Sequence, residues 1–274
     1  MTKIFFPNNL YIQTQIVNCM EKKLSATVSI KQSEKVTPEV ITLLKNTLWG
    51  TPGQTQYQHL ETEKTIHDIH SPIYFNLERL DSLLCTVCLA GREVNIDERQ
   101  IDSHYVRYLA ANPAINSNGK RKNVSIRKES RGFVKQFMEE VFLKEAIENK
   151  KPLFYAYVES DNEQSMHLCE YYGFRRVSTM TTMAFSRFSP KISKNIRRAL
   201  PAEQKQIREE IIKQYPQHNF MYLEHIFYKD NYFVAEVDGK IVAGVQSNPM
   251  RWAFRNLPGI SGKLLLKILP HIII

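Results

Sequence analysis

The order of apolar and polar residues divides the chain into short elements. "ATVSIKQSE" (26–34) alternates with period two and predicts a strand. "TPEVITLLKNTLW" (37–49) predicts a helix, with Thr37 as N-cap and Pro38 in the first turn. "GTPGQTQYQHLETEK" (50–64) reads as a loop. "PIYFNLER" (72–79) and "LLCTVCLAGREV" (83–94) predict two strands joined by a turn at Leu80–Ser82. "SHYVRYLAA" (103–111) is a further strand, ending at Asn112-Pro113, where proline cannot continue a ladder.

A polar, basic stretch follows, "NPAINSNGKRKNVSIRKESRG" (112–132). "FVKQFMEEVFLKEAIENK" (133–150) then carries apolar residues at 133, 137, 141 and at 134, 138, 142, the spacing of one helical face. "PLFYAYVES" (152–160) predicts a strand with an aromatic side. Ser160 and Glu163 have capping-box spacing, which starts a helix near Asp161. Met166, Cys169 and Tyr172 share one face of it. Gly173 suits the left-handed residue that ends a helix, with Phe174 packing back. "RRVSTMTTMAFSRF" supplies one or two more strands.

After Ser189-Pro190 the character changes. "NIRRALPAEQKQIREEIIKQYP" is a charged helical stretch, and "YFVAEVDGKIVAGVQ" (232–246) is a hairpin around Asp238-Gly239. A strand, a helix and then a hairpin repeat the opening of the chain, so residues 191–274 read as a second, related but partial unit after a first domain spanning 1–190. The apolar ending "GKLLLKILPHIII" is expected to be buried in a core.

Composition narrows the class. The 274 residues are 43% hydrophobic and 24% charged, as in soluble globular domains. A net charge of +9 fits an anionic partner such as nucleic acid, a membrane surface or a phosphorylated cofactor, and equally fits mere solubility. Four cysteines (Cys19, Cys85, Cys88, Cys169) are too few for a disulfide framework. Cys85 and Cys88 form a C-x-x-C within an apolar strand, and no second Cys/His pair follows at finger spacing. They read as buried thiols, and no metal is expected. No segment has signal-peptide character or reaches the roughly 18 apolar residues of a membrane span. The expectation is a cytoplasmic protein without a membrane partner.

Two segments carry the chemistry. "NEQSMHLCEYYGF" (162–174) is a capped helix closed by Gly-Phe. "RKESRG" (127–132) belongs to a cluster in which Lys120, Arg121, Lys122, Arg127, Lys128 and Arg131 face a single acid, Glu129. A glycine at a helix start lets a pyrophosphate approach the unbonded N–H groups of the first turn, and the helix dipole favours it there. Gly132, one of only ten glycines, stands at the predicted start. A solvated basic loop is the plain alternative. A nucleic-acid patch is the weaker rival, because no aromatic residue interleaves the cluster.

In these segments the chain resembles the GNAT superfamily of N-acetyltransferases over roughly residues 26–188. Asn162 through Gly173-Phe174 is similar to the family's closing pattern, and Arg127 through Gly132 matches its R/Q-x-x-G-x-G/A acetyl-CoA pattern, with Ser130 in place of a glycine. The resemblance implies an α/β fold with a GNAT-like mixed, mostly antiparallel sheet flanked by helices, plus a second smaller α/β unit at the C-terminus. It implies acetyl-CoA as co-substrate and transfer of a short acyl group to an amine acceptor of unknown identity by direct attack. Cofactor contacts fall on Leu109, Ala111, Arg127, Ser130, Arg131, Gly132, Asn162 and Ser165. The pantetheine arm would enter between strands 103–111 and 152–160, with their parting placed at Asn112-Pro113. Glu93 and His104 are the candidate bases, each with a plainer reading as a solvated strand-end charge and a core histidine.

Cys169 stands where the family has the tyrosine that protonates the departing CoA thiolate. Cysteine ionises near ~8.5 against ~10 for tyrosine, so it can donate a proton, but it is shorter. It is a substitute acid, a small packed residue in a site needing no acid, or the mark of a non-catalytic scaffold that senses acyl-CoA or binds RNA or protein. The packed residue is the favoured reading. Oligomeric state is open.

Overall fold

A computed structural model describes residues 2–7, 20–96, 99–112, 124–144, 153–181, 193–216, 218, 220–223, 225–248 and 250–272. The chain forms two compact units. One comprises Met1–Arg92, Asp102–Thr181 and Arg251–Ile274; the other comprises Glu93–Ile101 and Thr182–Met250. The units are therefore interleaved in sequence, whereas the sequence reading places one junction near 190.

The first unit contains β1 (Thr2–Pro7), β2 (Met20–Lys23), β3 (Val28–Ser33), α1 (Pro38–Asn46), β4 (Gln56–His59), α2 (Thr62–Ile66), β5 (Pro72–Arg79) and β6 (Ser82–Ile96). After these come β7 (Arg99–Ala111), α3 (Val124–Glu139) with a π-helical continuation over Glu140–Lys144, β8 (Leu153–Glu159), α4 (Glu163–Tyr171) and β9 (Phe174–Met180); the stretches of β6 and β7 within Glu93–Ile101 are counted with the second unit. Eight strands make one sheet in the order β2-β3-β5-β6-β7-β8-β1-β9. Among the described pairings only β7 with β8 is parallel.

Local chemistry accounts for most of these elements. Thr37 Oγ1 accepts from the Val40 N–H at 3.4 Å, and α1 then buries Val40, Leu43 and Leu44, the i, i+3, i+4 face. Leu80 (φ 46°) and Asp81 (φ 60°) form the tight turn between β5 and β6. Helices cover both faces of β5 and β6, so these strands are nearly continuously buried rather than alternating. On one face Phe75, Leu77, Cys85, Val87 and Leu89 pack under Phe137, Met138, Val141 and Phe142. On the other, Tyr74, Leu83, Cys88 and Ala110 pack under Val40, Leu43, Leu44 and Ile66. Cys85 and Cys88 are both buried, and they face opposite sides of the sheet.

The second unit holds β10 (Ile196–Arg198), α5 (Gln204–Gln214), β11 (Tyr232–Val237) and β12 (Lys240–Gln246), with sheet order β10-β11-β12 and antiparallel pairing. Asp238 (φ 49°) and Gly239 (φ 72°) make its hairpin turn. A strand, a helix and an adjacent hairpin reproduce the connectivity of β3, the α1–α2 segment, β5 and β6. Arg197 bridges Glu203 and Glu236 at 2.6 and 2.7 Å.

The chain then returns to the first unit as β13 (Trp252–Asn256) and α6 (Gly259–Ile272). β13 pairs with β4, inside the segment that reads as a loop from sequence. The expectation of a buried apolar ending is not met on the described part of α6, where Ile260, Leu264, Leu265 and Ile268 are exposed. The terminal side chains lie outside the described residues.

A second correction concerns α3. It starts at Val124, nine residues before the expected start, because "VSIRKESR" holds no proline and continues the helical register. Gly132 is therefore mid-helix and exposed, with an ordinary φ, and a Cβ built there meets no atom within 4 Å. Gly132→Ala should raise stability by about 0.5–1 kcal/mol, since glycine carries excess unfolded-state freedom into a helix. The urea midpoint checks this, and a lower midpoint would refute the helical placement.

Candidate functional site

β7 and β8 pair through Ser103↔Leu153, His104↔Phe154 and Tyr105↔Tyr155, and no further. Yet β7 runs on to Ala111 and β8 to Glu159. The cause lies in β7. Val106 packs into the α3-side core, and Arg107 turns to the opposite face. Tyr108 then takes φ +52° and joins the α1-side core instead of alternating back. Leu109 and Ala111 regain the α3 side, and Ala110 the α1 side. One residue too many on one strand is a β-bulge, which bends the strand and ends its pairing. β7 stays with β6, as the Asn112 N–H bonding Leu84 O at 2.7 Å shows, while β8 stays with β1. The two strands part after Tyr105, and among the described residues the β7 edge from Val106 to Ala111 has no ladder partner in β8. The parting begins after Tyr105, well before the expected Asn112-Pro113.

α4 follows directly on β8. Its N-cap is Asn162, whose Oδ1 accepts from the Ser165 N–H at 3.0 Å; Ser160, expected as the cap, instead bonds Asp161. Cys169 lies on the inner face of α4, packed on the core with Met166 and Leu168. Burial, helped by Glu170, pushes its thiol up to about 12. Such a thiol is a poorer acid than a solvated one. Tyr172 is buried and donates to Lys135 O at 3.3 Å, and Tyr171 points to solvent.

Leu109 and Ala111 lie on β7 beyond its last pair with β8, and Asn162 and Ser165 form the cap of α4, which follows β8. Arg127, Ser130, Arg131 and Gly132 all lie within α3 rather than in a loop before it. His104 is only 2% exposed, its ring 5.2 Å from Phe154 in the α3-side core. Glu93 belongs to the other unit, is exposed, and accepts a hydrogen bond from Gln100.

Sequence reasoning missed the α1-side wall. Tyr105 stacks on Tyr155 (5.0 Å, 8°) and meets Tyr157 edge-on at 5.3 Å. Arg92 lies over Tyr105 at 4.6 Å and donates to Tyr155 Oη at 3.1 Å. Arg107 lies 5.3 Å from the Tyr105 ring and 4.9 Å from that of Tyr108. Trp49 packs against Tyr108 and His59 at 6.2 and 5.9 Å. Tyr57 stacks on Trp252 at 4.9 Å and donates to Glu159 Oε1 at 3.3 Å. Burial raises the Glu159 carboxyl, with the Tyr57 hydrogen bond opposing, and burial beside Glu159 pushes Tyr57 up to about 12. The period-two run Tyr155, Tyr157, Glu159 signals this wall in the sequence; its contact with Trp252 has no local signal.

No protein-family model matches the sequence, and no curated protein matches it. In structure the chain is similar to Saccharomyces cerevisiae N-myristoyltransferase with bound myristoyl-CoA, with a TM-score of 0.50, 11% identity, and coverage of 92% of this chain and 64% of that one. The same enzyme with myristoyl-CoA and inhibitors gives 0.50, 10%, 90% and 64%. A conserved protein of unknown function from Enterococcus faecalis V583, described as a probable N-acyltransferase, gives 0.31, 16%, 44% and 27%. The chain thus spans less than two thirds of the length of these proteins. The likeness is one of fold: a mixed, mostly antiparallel sheet flanked by helices, the GNAT-like fold expected from the sequence.

Cys169 should resist iodoacetamide at pH 8 in the folded protein. At about 12, roughly one thiol in ten thousand is ionised there. Mass spectrometry of the alkylated sites checks this; labelling at the rate of an unfolded thiol would refute the packed assignment.

Proposed function

We propose that the protein is an N-acyltransferase that moves an acetyl or other short acyl group from acyl-CoA to an amine. The observation that supports this most is the parted β7–β8 pair. Pantetheine is a chain of amides, and a strand edge within a sheet offers it N–H and C=O partners as another strand would. Leu109 and Ala111 supply that edge, with Asn162 and Ser165 on the opposite flank. The first turn of α3, from Val124, offers unbonded N–H groups to the pyrophosphate, and Arg127 and Arg131, one turn apart, share its helix with Ser130 and Gly132.

The amine nitrogen attacks the thioester carbonyl, a C–N bond forms, and CoA leaves as its thiolate. Its ammonium must first lose a proton. Glu159, with Tyr57 orienting it, is the carboxylate that stands on the aromatic wall at the end of β8, and it takes the role assigned from sequence to Glu93 and His104. Cys169 acts as packing. CoA thiolate leaves without a donor, because proximity supplies much of the rate. The second unit is a partial copy of the same scaffold, on the strength of its matching strand–helix–hairpin connectivity.

Saturating acetyl-CoA should raise the melting temperature, as ligands of the native state do. Free-thiol release should depend on added amine. Arg127→Ala with Arg131→Ala should raise the acetyl-CoA Kd at least tenfold, about 1.4 kcal/mol. Glu159→Gln should cost 10²–10⁴ in turnover, the usual range for a lost general base, while Cys169→Ala should stay within about tenfold. Absence of any acetyl-CoA-dependent stabilisation would sink the reading.

A further inference from the structure

Arg107 is a cation in need of an anion. It stands at the bulge, on the α1-side face, partly buried between the rings of Tyr105 and Tyr108. Its one hydrogen bond among the described residues is a long one, from Nη2 to Tyr108 Oη at 3.4 Å. No carboxylate among the described residues pairs with it; the other groups that feel its charge are Tyr74, Cys88 and His59, all neutral at pH 7. A guanidinium does not escape burial by losing its proton, and five N–H donors in a planar fork match a carboxylate. Taking such a charge out of water is unfavourable unless an anion joins it. The protein nevertheless holds it beside the point where β7 leaves β8.

We infer that Arg107 anchors a carboxylate carried by the amine acceptor, which makes the acceptor an amino acid or a compact amino-carboxylate. This rests on the acyl-transfer reading. The face decides whose anion it is: α3, whose first turn is proposed for the CoA phosphates, packs on the opposite face of the sheet, whereas Arg107 shares the tyrosine wall that leads through Tyr155 and Tyr157 to Glu159. An acceptor lying along that wall has its carboxylate at the bulge and its ammonium toward the end of β8. The Tyr105 and Tyr108 rings lie 5.3 and 4.9 Å from the guanidinium, and its planar fork pairs side-on with the two oxygens of a carboxylate.

The chain has two tryptophans, Trp49 and Trp252, and both stand on this wall. Intrinsic fluorescence therefore reports the site without knowledge of the natural acceptor. Titration with 4-aminobutyrate should give a saturable change at concentrations where n-butylamine and 3-aminopropylphosphonate give at most a tenth of the affinity. Arg107→Met should weaken 4-aminobutyrate at least tenfold, and Arg107→Lys should restore part of the loss; circular dichroism verifies that both variants fold. Equal response to n-butylamine, no saturable response to 4-aminobutyrate, or unchanged affinity in Arg107→Met overturns the proposal. A preference for the phosphonate does so as well. Calorimetry with acetyl-CoA on the same samples separates the two readings. No binding by the wild type defeats acyl transfer without moving the fluorescence result. A tenfold loss of acetyl-CoA affinity in Arg107→Met assigns the anion to the cofactor and overturns the acceptor carboxylate.

Discussion

One extra residue in β7 governs the arrangement around the site. With Tyr108 in the left-handed region, Arg107 and Tyr108 both fall on the α1-side face, and the ladder to β8 stops at Tyr105. The bulge forfeits strand hydrogen bonds, and a buried polar group left without a partner costs ~1–3 kcal/mol. An internal sheet edge of this kind persists where water or a ligand satisfies it. β7 is bonded to β6 through Asn112, and β8 to β1.

The same break distributes the chemistry over two faces. The α3 side is apolar close to the sheet and carries α4, with Cys169 packed as a core thiol. The α1 side is aromatic and charged, with Arg107 at the bulge and Glu159 four residues past the last pair. On the proposed reading the cofactor approaches from one side and the acceptor from the other, and they meet where the strands part. That geometry needs no covalent enzyme intermediate.

Much of the fold is legible in short stretches. Thr37-Pro38, the Leu80–Ser82 turn and Asp238-Gly239 are set by local capping and turn chemistry, and each forms as expected; the helix within Asn162–Phe174 forms too, with Asn162 rather than Ser160 as its cap. The misreadings share a cause. β4 is held by β13, about two hundred residues away, so nothing near Gln56–His59 announces a strand. The bulge is a backbone choice that "HYVRYLAA" does not spell out, and the nearest proline is the visible signal for a parting. The basic segment before Gly132 reads as a loop, yet arginine, lysine and glutamate are good helix formers, and α3 runs back through it to Val124. Asn162 and Leu109 lie in stretches that the sequence singles out; the aromatic wall does not stand out as a whole, because Trp49, Tyr57, Trp252 and Glu159 are brought near one another only in three dimensions.

Hydrogen exchange with and without acetyl-CoA tests the central claim most directly. If acyl-CoA completes the free edge of β7, the amides of residues 106–111 should exchange markedly more slowly with the ligand, together with those opening α3 at 124–127. The paired amides of β5 and β6 should be unchanged. Unaltered exchange along 106–111 at saturating acetyl-CoA, or protection confined to other strands, would contradict it.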